Sequence, residues 1–209
     1  MKDIILTISI LVQCFLNFGC SERSVSFNQY LENVHRYEKN LTISDSVFGL
    51  TISAEYLPPL LMALREARSA ENLRNNYKGL TKNYEDADYF ELTLSKQSSS
   101  TKDYLQQFFH GEDSSQTAFE QYIDFGIQRD IKLLRGRDTL ACAYLHREIS
   151  DALTNKLQYT ISFELDKSHE NLFDRTIYLN SKNIGLRNVN LLISVDKIRN
   201  IPTIKNVHL

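Results

Sequence analysis

No tryptophan and only three prolines, seven glycines and three cysteines occur in the 209-residue chain. So little Pro and Gly excludes collagen-like and low-complexity chains, and no internal repeat or linker of biased composition is visible. The cysteines are Cys14, Cys20 and Cys142, the first two inside or at the edge of an apolar N-terminus. Once that segment is removed or modified, one ordinary thiol is left, which excludes a disulfide framework within the monomer. There is no CxxC pair and no Cys/His cluster at zinc-ligand spacing, so no structural metal is expected. Neither sign of charge dominates: 24 basic and 26 acidic residues are well mixed and sum to −2. Without a cationic block able to displace counterions, nucleic-acid binding has no electrostatic support. GxSxG, P-loop and GxGxxG motifs are also missing, and no cofactor is implied.

What remains is an ordinary globular composition, 42% hydrophobic and 24% charged, in a chain of single-domain length that can bury a core unaided. Eleven Tyr and eleven Phe suit a β-rich core, because planar rings pack well on a pleated face.

Ile4 to Phe18 read "IILTISILVQCFLNF". Fifteen residues fall short of the roughly 20 that cross a bilayer, but they have the length of a signal-peptide core, with Lys2 before and the small Gly19 after. The residues alone leave three fates open: lipid modification at Cys20, cleavage by a general signal peptidase, or an uncleaved anchor. "NFGC" resembles the lipobox of bacterial lipoproteins, in which a small residue precedes a cysteine that is diacylated and becomes the first residue of the mature chain. That resemblance implies a signal peptide over 1–19, an anchor at Cys20 and a polar tether over 20–27, followed by one domain over 28–209. Ser21, where inner-membrane retention favours Asp, implies the outer membrane. From "GRDTLACAYLHRE" onward the chain also resembles lipoproteins with which no activity is associated.

Hydrophobic spacing gives the rest of the organisation. Phe27, Tyr30, Leu31, Val34 and Tyr37 lie on one helical face. Phe48, Leu50 and Ile52 alternate as a strand up to Pro58 and Pro59, after which a Leu-, Ala- and Arg-rich stretch predicts a helix from about Pro59 to Lys78. Phe90, Leu92 and Leu94 share the face of a second strand, and Ser100 with Asp103 caps a brief helix. "FEQYIDFGIQRDIKLL" has six apolar residues in eight odd positions and predicts a long half-buried strand. "RGRD" turns it into a partner strand, "TLACAYLHREI". "LQYTISFELD" alternates without fault, and "TIYL" and "VNLLISVD" give two further strands. About seven alternating strands favour antiparallel pairing. The expected class is α+β, an antiparallel sheet or sandwich with its helices mainly at the N-terminal side.

Candidate chemistry is sparse. Cys142, Tyr144, His146 and Glu148 fall on one face of a predicted strand, but four residues of strand separate Cys142 from His146 by about 13 Å, too far for a nucleophile and base. A small buried thiol and an edge histidine explain them better. "HGED" at His110 to Asp113 could offer imidazole and carboxylates to a cation, yet it lacks a second cluster at defined spacing. Tyr-rich strands could present a glycan-binding face, or simply the amphipathic rim of a sheet. The expectation is a membrane-anchored envelope lipoprotein with a non-catalytic binding or structural role toward a protein or glycan partner. An envelope hydrolase is the alternative, and a toxin-neutralising or surface-exclusion role is a third.

Overall fold

A computed structural model describes residues 24–67, 70–97, 100–111, 113–148, 156–165 and 173–205. Cys20, with the expected signal peptide, therefore lies outside the described residues, as do Glu112, His169 and His208.

The chain is α+β, with six α-helices and eleven strands among the described residues. A five-stranded antiparallel sheet has the order β2 (Thr42–Val47), β3 (Leu50–Leu57), β4 (Ala87–Lys96), β8 (Lys156–Glu164) and β7 (Tyr144–Arg147). A four-stranded antiparallel sheet has the order β10 (Val189–Ile193), β9 (Arg175–Leu179), β5 (Ile131–Arg135) and β6 (Asp138–Ala141). A short parallel pair joins β1 (Ser24–Val25) to β11 (Thr203–Ile204). Period-two alternation drives the two large sheets together. Leu50, Ile52, Phe90, Leu92, Leu94, Tyr159 and Ile161 of one, and Ile131, Leu133, Ile177, Leu179, Val189 and Leu191 of the other, form a single apolar core.

The first two helices pack against β3 of the five-stranded sheet. α1 (Phe27–Leu41) starts with a capping box, in which Ser26 Oγ accepts from Gln29 N at 3.3 Å and Gln29 Oε1 accepts from Ser26 N at 3.0 Å. Its buried face is the expected one, led by Phe27, Tyr30 and Tyr37. The fold thus begins earlier than a tether over 20–27 implies, since Ser24 and Val25 are paired and Phe27 is buried. Pro59 at the first position of α2 (Pro59–Glu66) stops β3 and starts the helix, as its fixed φ and missing N–H require. The single helix expected over 59–78 is two, because Ala67 takes extended backbone; α3 (Ala70–Lys82) follows, kinked at Asn76.

Two strand expectations are corrected. "FEQYIDFGIQRDIKLL" is mostly helical: α5 (Gln116–Asp124) and a 3₁₀ turn over Gly126–Asp130 precede β5, and α4 (Thr101–Gln106) lies before them. Ser115 caps α5 by accepting from Ala118 N at 3.2 Å. The odd positions misled because Phe119, Ile123 and Ile127 are also spaced by four, and Tyr122, an even position, is buried with them, whereas Phe125 is 73% exposed. The hairpin turn at Gly136 (φ 61°) is as expected, but its partner strand breaks at Cys142 and Ala143, so β6 and β7 belong to different sheets.

The β2–β3 turn carries strain. Phe48 and Gly49 both have positive φ (52° and 74°), the geometry of a two-residue hairpin that Asn-Gly satisfies and Phe does not. Phe48 is 77% exposed, so little packing offsets the conformation. Phe48→Asn is expected to raise stability by about 1 kcal/mol, read as a higher urea midpoint with unchanged slope. An unchanged or lower midpoint would place a stabilising contact on the Phe48 ring.

Candidate functional site

Inward alternation also places charge inside. Asp88 is in phase with Phe90, Leu92 and Leu94 on β4, and Arg175 is in phase with Ile177 and Leu179 on β9. Both face the core near the same end of the sandwich, with side chains 2% and 1% exposed. A buried carboxylate and guanidinium are tolerable only when paired and hydrogen-bonded. Arg175 Nε donates to Asp88 Oδ2 at 3.2 Å, and its Nη1 donates to the Phe173 carbonyl at 2.8 Å. Tyr56 Oη, from the end of β3, donates to Asp88 Oδ1 at 3.1 Å, and the Arg175 guanidinium lies 5.4 Å from the centre of the Tyr56 ring. Burial first, then the negative charge of Asp88, pushes the Tyr56 hydroxyl far above its ordinary range, so it stays a hydrogen-bond donor. Arg135 is buried opposite Arg175 in the β5–β9 register.

This trio forms the floor of a pocket of about 540 Å³. Its walls are mainly aliphatic: Pro58, Pro59 and Leu60 where α2 begins, Leu165 after β8, Ile198 of α6 (Val195–Arg199), and Ile201 to Ile204 leading into β11. Tyr77 and Thr81 of α3, Glu85, and Ala87 at the start of β4 complete them. The volume lies inside the roughly 300–1,000 Å³ span of small-molecule sites, and aliphatic walls over a small polar floor suit an amphipathic ligand. At the other end of β3, Phe48, Tyr104, Phe108 and Leu186 enclose a smaller apolar cavity of about 200 Å³.

A second charged group sits between helices and sheet. Arg65 of α2 reaches Glu91 Oε2 at 2.8 Å, Glu55 Oε1 at 3.0 Å and Glu38 Oε1 at 3.7 Å. One guanidinium cannot neutralise three carboxylates, and burial raises the Glu55 pKa from 4.5 to about 7, with Glu91 and Glu38 adding repulsion and Arg65 opposing. A carboxyl whose pKa is raised on folding contributes its stabilisation fully below 4.5 and loses it as pH climbs through 7. Glu55→Gln is therefore expected to gain stability relative to the wild type between pH 5 and pH 8, measured by urea unfolding at both. A difference that does not change with pH would remove Glu55 from this role.

The residues singled out from sequence are not brought together. Cys142 is buried, its Sγ donates to the Tyr144 carbonyl at 3.0 Å, and burial pushes its thiol up to about 11, which leaves it a poor nucleophile. It does not share the face of Tyr144 and His146, since the strand breaks beside it. His146 is exposed and stacks on Tyr144, with ring centres 6.4 Å apart, while Glu148 accepts from Thr160 Oγ1 at 3.0 Å. His110 is exposed too, and its backbone N–H donates to the Asn183 carbonyl at 2.8 Å. Asp113 is occupied with Ser115. Among the described residues no three His, Cys, Asp or Glu side chains are placed to hold a metal ion.

Sequence reasoning missed Asp88, Arg175 and Tyr56. The signal was present, because Asp88 and Arg175 each stand one step before an alternating apolar series and in phase with it. The fold and site define an α+β sandwich with a pocket at one end. The chain matches no protein-family model, no curated protein and no solved structure.

Proposed function

We propose that the protein is a lipid-anchored component of the bacterial cell envelope, held through Cys20 at the outer membrane in preference to the inner. Its domain binds an amphipathic ligand in the end pocket and performs no chemistry on it. The observation that supports this reading is where the chain enters the fold. Ser24 and Val25 pair with Thr203 and Ile204, and those two residues also line the pocket. An anchor four residues before Ser24 keeps the pocket close to the membrane surface, where amphiphiles are concentrated. The polar floor is already satisfied by its own members, so it tolerates the apolar part of a ligand without leaving a charge exposed to hydrocarbon.

Intact-mass analysis of the protein purified from bacterial envelopes, alongside Cys20→Ala, tests the anchor. The wild type is expected to lack residues 1–19 and to carry an acyl increment, and the variant to leave the membrane fraction. An unmodified N-terminus in a competent host would refute it. Native mass spectrometry of the released variant with palmitate tests the pocket. One palmitate is expected to be retained, and to be lost when Leu60→Trp fills the site; retention by both forms would overturn the assignment.

A further inference from the structure

We infer that the end pocket seats one acyl chain of the protein's own Cys20 anchor. The inference rests on the reading of Cys20 as the lipidated residue and names the occupant of the pocket proposed above. Four peptide steps separate Cys20 from Ser24, a reach of at most ~14 Å in extended chain. Ser24 lies opposite Thr203 in the parallel β1–β11 pair, and Lys205 N donates to the Val25 carbonyl at 2.8 Å, so the start of the fold is fastened to the pocket wall.

The lining matches an acyl chain. Pro59, Leu60, Ile198, Ile201 and Ile204 supply an aliphatic wall, Asp88 is bonded to Arg175 and Tyr56, and Glu85, the remaining charged residue of the described lining, is exposed to solvent. A free lipid could satisfy the same walls. The tethered chain has the advantage, because a short linker converts binding into an intramolecular event with an effective concentration of roughly millimolar. Withdrawing one chain of a diacylated anchor leaves the other as the main hold on the bilayer, and a single chain binds membranes only marginally and reversibly. Pocket occupancy then sets how long the protein stays on the membrane.

The test uses the full chain in its own envelope. Cells are grown with a diazirine-bearing palmitate that enters the anchor, envelope vesicles are irradiated, and cross-linked peptides are mapped by mass spectrometry. The expected result is a link from the Cys20 acyl group to residues 198–204 of the same molecule, lost in Leu60→Trp and in a second pocket-filling variant, Ala87→Phe. Label on an acylated Cys20 that reaches only lipid, or pocket residues linked to a lipid not joined to Cys20, would overturn the inference and leave the pocket a site for free amphiphiles. An unacylated Cys20 would overturn both readings at once.

Discussion

Asp88→Ala is expected to remove about 3–5 kcal/mol of stability, the cost of leaving one member of a buried ion pair alone. A domain of this kind is held together by roughly 5–15 kcal/mol, so the variant should sit near the limit of folding. Three consequences combine. The Arg175 guanidinium, 1% exposed, loses its carboxylate, the Tyr56 hydroxyl loses its acceptor, and a void opens beside both. Asp88→Asn should cost less, since an amide oxygen can still accept from Tyr56. The decisive comparison is Asp88→Leu combined with Arg175→Met. Replacing a buried pair with apolar side chains of similar volume is often neutral or stabilising, so the double variant should recover most of what each single change loses. Urea unfolding of the set gives the coupling energy. A single-variant loss below about 1 kcal/mol, or a double variant no better than the singles, would show that the pair does not hold β4 to β9.

How far the sequence could be read depended on whether a signal was local. Alternation is local, and it placed Phe90, Leu92, Leu94, Tyr159, Ile161 and Phe163 inside, where they are. Capping is local too, and Ser100 accepts from Asp103 N as its spacing predicts. The pocket is not local. Its lining comes from the end of β3, the start of α2, α3, β4, β9 and the approach to β11, and only the pairing of strands far apart in sequence brings these together. The same limit hid the break at Cys142. Ala143 N donates to the Ser162 carbonyl at 2.9 Å, so the strand leaves one sheet for the other through a partner about twenty residues downstream. β2 was missed because "TISDSV" is mostly polar and half-exposed, an edge strand paired with β3 in a hairpin, its own core contact limited to Ile43 and Val47.

The misread segment around Gln121 yields the second large effect. Gln121→Pro is expected to cost at least about 3 kcal/mol, whereas Gln121→Ala should be neutral or slightly stabilising. Gln121 is exposed within α5, so its side chain contributes little, and the change acts on the backbone. Proline removes the N–H that the helix uses and drives its ring against the carbonyl of Thr117, one turn earlier. In a strand the ranking would be weaker, because alanine is itself disfavoured there. The loss would spread beyond the helix, since Phe119 and Ile123 are core residues and the buried Tyr159 hydroxyl donates to the Ile123 carbonyl at 3.2 Å. Far-UV circular dichroism and urea unfolding of both variants read the difference directly; equal stability would return this stretch to the strand its alternation suggests. No α5 residue lines the end pocket, so molecules of Gln121→Pro in the Cys20→Ala background that remain folded should still retain palmitate. That retention would separate the core that α5 completes from the site built on Asp88, Arg175 and Tyr56.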